Sequence, residues 1–157
     1  MLSPPVSLPA WAPDVPVADR IRGLQSALAS RADFQSRLAW LVDEARRQPS
    51  LAAERRTADR LVPGCQVRLW WIPGWHDGRC WFASDSDAVS LKALAGLLGR
   101  VHDGAAPAEI LGAAPGWLAE TGLLRPLAES RRATVLRVHD LIREFARVHQ
   151  GPPRVQT

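Results

Sequence analysis

The chain has a single lysine, Lys92, only two cysteines, Cys65 and Cys80, and nowhere the roughly 20 consecutive apolar residues that a membrane span requires. The missing apolar run excludes a spanning helix. Pro4, Pro5, Pro9 and Pro13 break up the first dozen residues and leave no signal-peptide core there. These two absences make a soluble, cytoplasmic protein the expectation, with no membrane partner. With lysine almost missing, the net charge of +4 rests on arginine, a bias that points to codon usage rather than to a selected basic surface. Arg46, Arg47, Arg55, Arg56, Arg131 and Arg132 are spread over several segments and interleaved with acids. They form no dense stripe with stacking aromatics, so no nucleic-acid partner is expected. No internal repeat is present.

Within these limits, 157 residues with 46% hydrophobic content suffice for one domain with a real core. Residues 1–16 are Pro-rich and aperiodic and read as a flexible extension, and residues 150–157, with Gly151-Pro152-Pro153, read as a flexible tail. The domain is expected over 17–149. Val17 to Leu28 reads as a first helix. Phe34, Leu38, Leu41, Val42 and Ala45 share the face of a second, introduced by Ser30-Arg31-Ala32-Asp33 as a capping box and stopped near Gln48 by Pro49.

The period then changes. Val67 to Ile72 and Arg79 to Ala83 are short, aromatic and β-branched, and Pro73-Gly74-Trp75-His76-Asp77-Gly78 supplies turn residues, so an antiparallel hairpin is the economical reading. Trp70, Trp71 and the Trp75-bearing turn are assigned to core and hairpin packing. Helices resume with Leu91, Leu94, Ala95, Leu98 and Val101, ending near Gly104. Pro107 opens a short helix, and Val135, Val138, Leu141, Ile142, Phe145 and Val148 mark a long terminal one. The fold class is α+β: a small antiparallel β-sheet packed against helices from both ends of the chain.

Cys65 is the residue best placed for chemistry. It follows Pro63-Gly64, a turn whose glycine reaches backbone angles closed to other residues. If the hairpin pairs Ile72 with Arg79, then Trp71 faces Cys80 and Leu69 faces Phe82. The two cysteines then lie about 20 Å apart, beyond the reach of a disulfide. That register carries Cys65 towards Asp85-Ser86-Asp87, side chains suited to capping the helix that follows. A helix start favours the thiolate and the Asp87 carboxylate opposes it. Cys80 alternates with Phe82 and reads as a small buried hydrophobe. For Cys65, the residues alone leave a buried turn cysteine and a reactive thiol both open.

Four segments, in order, carry a resemblance: Val62-Pro63-Gly64-Cys65-Gln66 followed by Leu69-Trp70; Ala83-Ser84-Asp85-Ser86-Asp87-Ala88 leading to Lys92; Gly104 through Pro107-Ala108-Glu109-Ile110; and Ser130-Arg131 opening the last helix. From about Val17 to Arg147 the chain resembles the SufE family of sulfur-acceptor proteins, which includes the relative CsdE. The resemblance implies a partner of a cysteine desulfurase, of the SufS or CsdA type. It implies that Cys65 accepts persulfide sulfur and passes it to an iron-sulfur cluster scaffold, that the desulfurase is stimulated, and that the carrier needs no cofactor and no metal of its own. It also places Gly64, Gln66, Asp87 and Arg131 in or beside the accepting loop or the partner contact. The chain departs from the usual pattern at Val67, where Ser is common, at Pro126, where His is common, and at Thr134, where Gly is expected.

Three other readings compete. In a stand-alone enzyme Cys65 would be the nucleophile, yet His76, His102, His139 and His149 belong to no recognised triad motif. In a metal site Cys65, His76, Cys80 and His102 would be the ligands, at a spacing that matches no compact zinc pattern. In a non-catalytic module that regulates a desulfurase, the thiol would be inert.

Overall fold

The computed structural model describes residues 14–48 and 50–151. Most of the expected N-terminal extension, the stop at Pro49 and most of the tail lie outside the described residues. Six α-helices and one β-hairpin follow in the order α1 (Val17–Ala29), α2 (Phe34–Arg47), β1 (Leu69–His76), β2 (Arg79–Ser86), α3 (Val89–His102), α4 (Pro107–Gly112), α5 (Trp117–Glu120) and α6 (Glu129–His149). Two single 3-10 turns, Ala53–Arg55 and Ala58–Arg60, join α2 to the hairpin. Helices from both ends of the chain pack against a two-stranded antiparallel sheet, an α+β architecture.

Leu91, Ala93, Leu94, Ala95, Leu97, Leu98 and Val101 bury α3 on nearly every side, which makes it the central helix. It meets β2, α2, α1 and α6. The outer helices bury one stripe each. In α1 that stripe is Val17, Arg20, Ile21, Leu24 and Leu28, at the spacing of one helical face. The buried Arg20 donates to the carbonyls of Val101 and Asp103 at 3.2 and 2.6 Å, a cation on the free C-terminal end of α3.

Asp33 alone is the N-cap of α2, accepting from the Ser36 amide at 2.7 Å. The expected capping box starting at Ser30 is therefore corrected: Ser30 closes α1 instead. The buried face of α2 centres on Trp40, Leu41, Glu44 and Ala45. In α6, Val135, Val138, His139, Ile142 and Ala146 are buried, while Val148 in the last turn is exposed.

The hairpin register differs from the expected one. His76, not Ile72, pairs with Arg79, so Trp71 faces Ser84, Leu69 faces Ser86 and Cys80 faces Trp75. A two-residue turn, Asp77-Gly78, with φ of 52° and 72°, closes the strands. Two adjacent positive-φ residues match the right-handed twist of the strands, which a six-residue loop would not enforce. Pro73 fits within β1 because its partner Phe82 sends its amide away from the ladder, to Asp103 Oδ1 at 2.8 Å. At such a non-hydrogen-bonded pair the missing Pro73 donor costs no ladder bond.

Candidate functional site

Just before β1 the chain is pinched into a loop. The Val62 amide donates to the Leu69 carbonyl at 2.9 Å and Leu61 bridges Trp70, so residues 63–68 project as one closed turn. Gly64 has φ +81°, the value a type II turn needs after its proline, and a Cβ there would meet nothing within 4 Å. Pro63, Gly64, Gln66 and Arg68 are exposed, whereas Cys65 and Val67 are partly buried against the core. The loop thus offers its backbone to solvent and turns its thiol inward.

The thiol meets the second turn of α6. Cys65 Sγ lies 3.3 Å from Thr134 Oγ1, and that hydroxyl donates to the Ser130 carbonyl at 3.0 Å. Thr134 is 8% exposed. A cleft of about 110 Å³ opens beside it, lined by Gln66, Val67, Leu91, Ser130, Arg131 and Thr134. The expected placement of Cys65 at the capping side chains of α3 is corrected by the register. Asp85 and Ser86 belong to β2, and α3 starts after Ala88 with no side-chain cap.

Asp87 sits at the stem of the loop. Its amide donates to the Arg68 carbonyl at 3.2 Å and its carboxylate pairs with the Arg68 guanidinium at 2.7 Å. Ser86 Oγ donates to the same carbonyl at 2.7 Å. Arg131 reaches across to Ser90 Oγ at 2.9 Å and so links the start of α6 to that of α3. The structure therefore brings Gly64, Gln66 and Arg131 around the loop and its cleft, with Asp87 one step away at the stem.

Asp85 holds the far side of the stem. Its carboxylate is 2% exposed, accepts from the Leu51 amide and from Arg56 at 2.9 Å each, and lies 3.6 Å from Lys92 Nζ. The guanidinium groups of Arg56 and Arg68 lie over the Trp70 ring at 5.4 and 5.2 Å. This stacked, charged packing anchors β1 where it leaves the loop.

Cys80 is fully buried and free, and burial pushes its thiol up to about 11. None of the four histidines is among the hydrogen-bond partners that the structure gives Cys65. His76 lies at the hairpin end, His102 and His139 are buried beside Trp117, and His149 stacks with Trp75 and Phe145. Among the described residues no three His, Cys, Asp or Glu side chains gather as a metal site, and no helix is long and apolar enough to cross a membrane.

Residues 22–146 match the family model described as SufE, Fe-S metabolism associated domain. The chain belongs to the SufE family. Over 99 residues it is 29% identical to an uncharacterized SufE-like protein of Synechocystis sp., an alignment covering 63% of this chain and 62% of that protein. This chain therefore spans less than two thirds of that relative's length. The solution structure of a hypothetical protein from Thermus thermophilus shares the fold at a TM-score of 0.67 and 19% identity, covering 83% of this chain and 95% of that one. SufE membership ties the chain to iron-sulfur metabolism at the level of the family.

Among the three departures from the usual SufE pattern, Thr134 touches the thiol itself, which its place 69 residues from Cys65 did not reveal. Val67 packs against the core beneath the loop. Pro126 is exposed before α6.

Proposed function

We propose that the protein is a sulfur acceptor and carrier, taking persulfide sulfur from a cysteine desulfurase onto Cys65, stimulating that enzyme, and handing the sulfur to an iron-sulfur cluster scaffold. The observation that carries this reading is the half-buried thiol on a closed loop whose Pro63, Gly64, Gln66 and Arg68 are exposed, in a chain of the SufE family. The Cys65 thiolate attacks the outer sulfur of the desulfurase persulfide. A new S–S bond forms, the old one breaks, and its electron pair leaves on the desulfurase cysteine as a thiolate. Sulfur changes hands without an external oxidant or reductant.

The same geometry favours a carrier over a stand-alone nucleophile. The thiol's hydrogen-bond partner is a hydroxyl that is too weak a base to activate it, and a docked desulfurase would supply both the electrophile and the environment for the reaction. Half-burial shields a persulfide from water and oxidants, and the exposed Pro63-Gly64 turn is the part that would move when a partner draws the sulfur out. The test is transfer of radiolabelled sulfur from cysteine through a desulfurase. Wild-type protein takes up label and Cys65→Ser, equally folded, takes up none. Equal labelling of the two would remove Cys65 from the mechanism.

A further inference from the structure

The Thr134 hydroxyl has one proton and two lone pairs, and the structure accounts for its proton: it goes to the Ser130 carbonyl at 3.0 Å. Facing Cys65 at 3.3 Å, Oγ1 must therefore be the acceptor, and the neutral thiol the donor. That arrangement suits the thiol and opposes the thiolate, because an oxygen lone pair would then face a negative sulfur. The hydroxyl relieves the conflict by turning its O–H bond from Ser130 to sulfur. The Ser130 carbonyl is not orphaned by this, since it lies within α6 and a helical carbonyl accepts from the backbone amide four residues on.

We propose that Thr134 is the positioning residue for sulfur on Cys65: it accepts from the resting thiol, then redirects its own proton from the Ser130 carbonyl to the thiolate that attacks, and to the persulfide anion that results. This inference rests on the reading of Cys65 as the acceptor. No proton leaves Thr134. The thiol proton goes to solvent, and the hydroxyl changes only the atom to which it donates. Thr134 also lines the 110 Å³ cleft beside the loop, so the group that meets the thiol borders the space into which a longer, sulfur-bearing side chain can extend.

The full chain and two variants test this. Thr134→Val keeps the shape and removes the hydroxyl; Thr134→Ser keeps the hydroxyl and removes the methyl. Alkylation of Cys65 by iodoacetamide, followed across pH by peptide mass spectrometry, reads the thiolate directly. The Val variant is expected to move the profile to higher pH, with alkylation near neutrality about three- to tenfold slower, the net worth of one hydrogen bond once the bond lost by the resting thiol is set against the one lost by the thiolate. The Ser variant restores the wild-type profile, and sulfur loading by a desulfurase follows the same order. A Val profile that overlies the wild type, or a shift that Ser does not rescue, overturns the role of Thr134 alone. A wild-type chain that takes no sulfur overturns the acceptor reading instead.

Discussion

Cys65 and Cys80 carry the same group and differ in their access to water. Cys80, in β2, is sealed in the core with its thiol raised by burial, whereas Cys65 hangs from an exposed turn with one face on α6. Iodoacetamide near neutral pH is therefore expected to modify Cys65 in the native protein and to reach Cys80 only after unfolding; peptide mapping before and after denaturant distinguishes the two. Gly64 is the second residue on which the loop depends. With φ at +81° and open space around it, Gly64→Ala meets no clash and pays only in backbone conformation, about 1–2 kcal/mol. Chemical denaturation should show that loss, and sulfur loading should fall because the turn no longer closes as before. Pro-Gly-Cys made the loop legible from neighbouring residues. Thr134 was legible only as a departure from a family pattern, since its contact with the thiol is made by folding and leaves no local signal.

Among the elements, the helices follow from periodicity: the apolar stripe of α1 and the apolar run of α3 are visible residue by residue. The hairpin was legible as a hairpin but not in its register. Pro73 argued for ending the strand at Ile72, yet proline is harmless at a non-hydrogen-bonded pair, and the Asp77-Gly78 turn set the pairing. With the four-residue shift Cys65 is no longer set opposite Ser86, and its thiol meets Thr134 of α6. Asp85 shows what the corrected register does for the stem. Its buried carboxylate joins β2 to residues 51 and 56 and to Lys92 on α3. Asp85→Ala leaves Arg56, which is exposed to solvent, and the Leu51 amide without that partner and should cost about 2 kcal/mol. Amide exchange across 50–56 should accelerate in that variant, while the core of α6 stays protected.

For the whole molecule, the buried base near the centre sets the response to acid. His102 is 1% exposed, donates from Nδ1 to the Leu98 carbonyl at 2.8 Å, and is pushed down to about 3 by desolvation. Burial also lowers the neighbouring His139. The folded state binds fewer protons than the unfolded one between the ordinary value of 6.5 and about 3. The stability that His102 contributes is therefore full above 6.5 and falls as pH drops through that window, by up to about 1.4 kcal/mol per pH unit. Melting temperature followed from pH 7 to 5 should decline, and His102→Leu should flatten the slope, with His139 supplying what is left. A buried histidine pair of this kind is invisible in the sequence, where His102 reads as a polar end to an apolar helix.

The account as a whole turns on Cys65, carried on a loop of a SufE-family fold, receiving sulfur from another protein. The most direct measurement is intact and peptide mass spectrometry of the full chain after incubation with a cysteine desulfurase and cysteine. The expected result is one added sulfur on Cys65, removed by a thiol reductant, together with faster turnover of the desulfurase. An unmodified Cys65 beside an active desulfurase whose rate does not change would contradict the account.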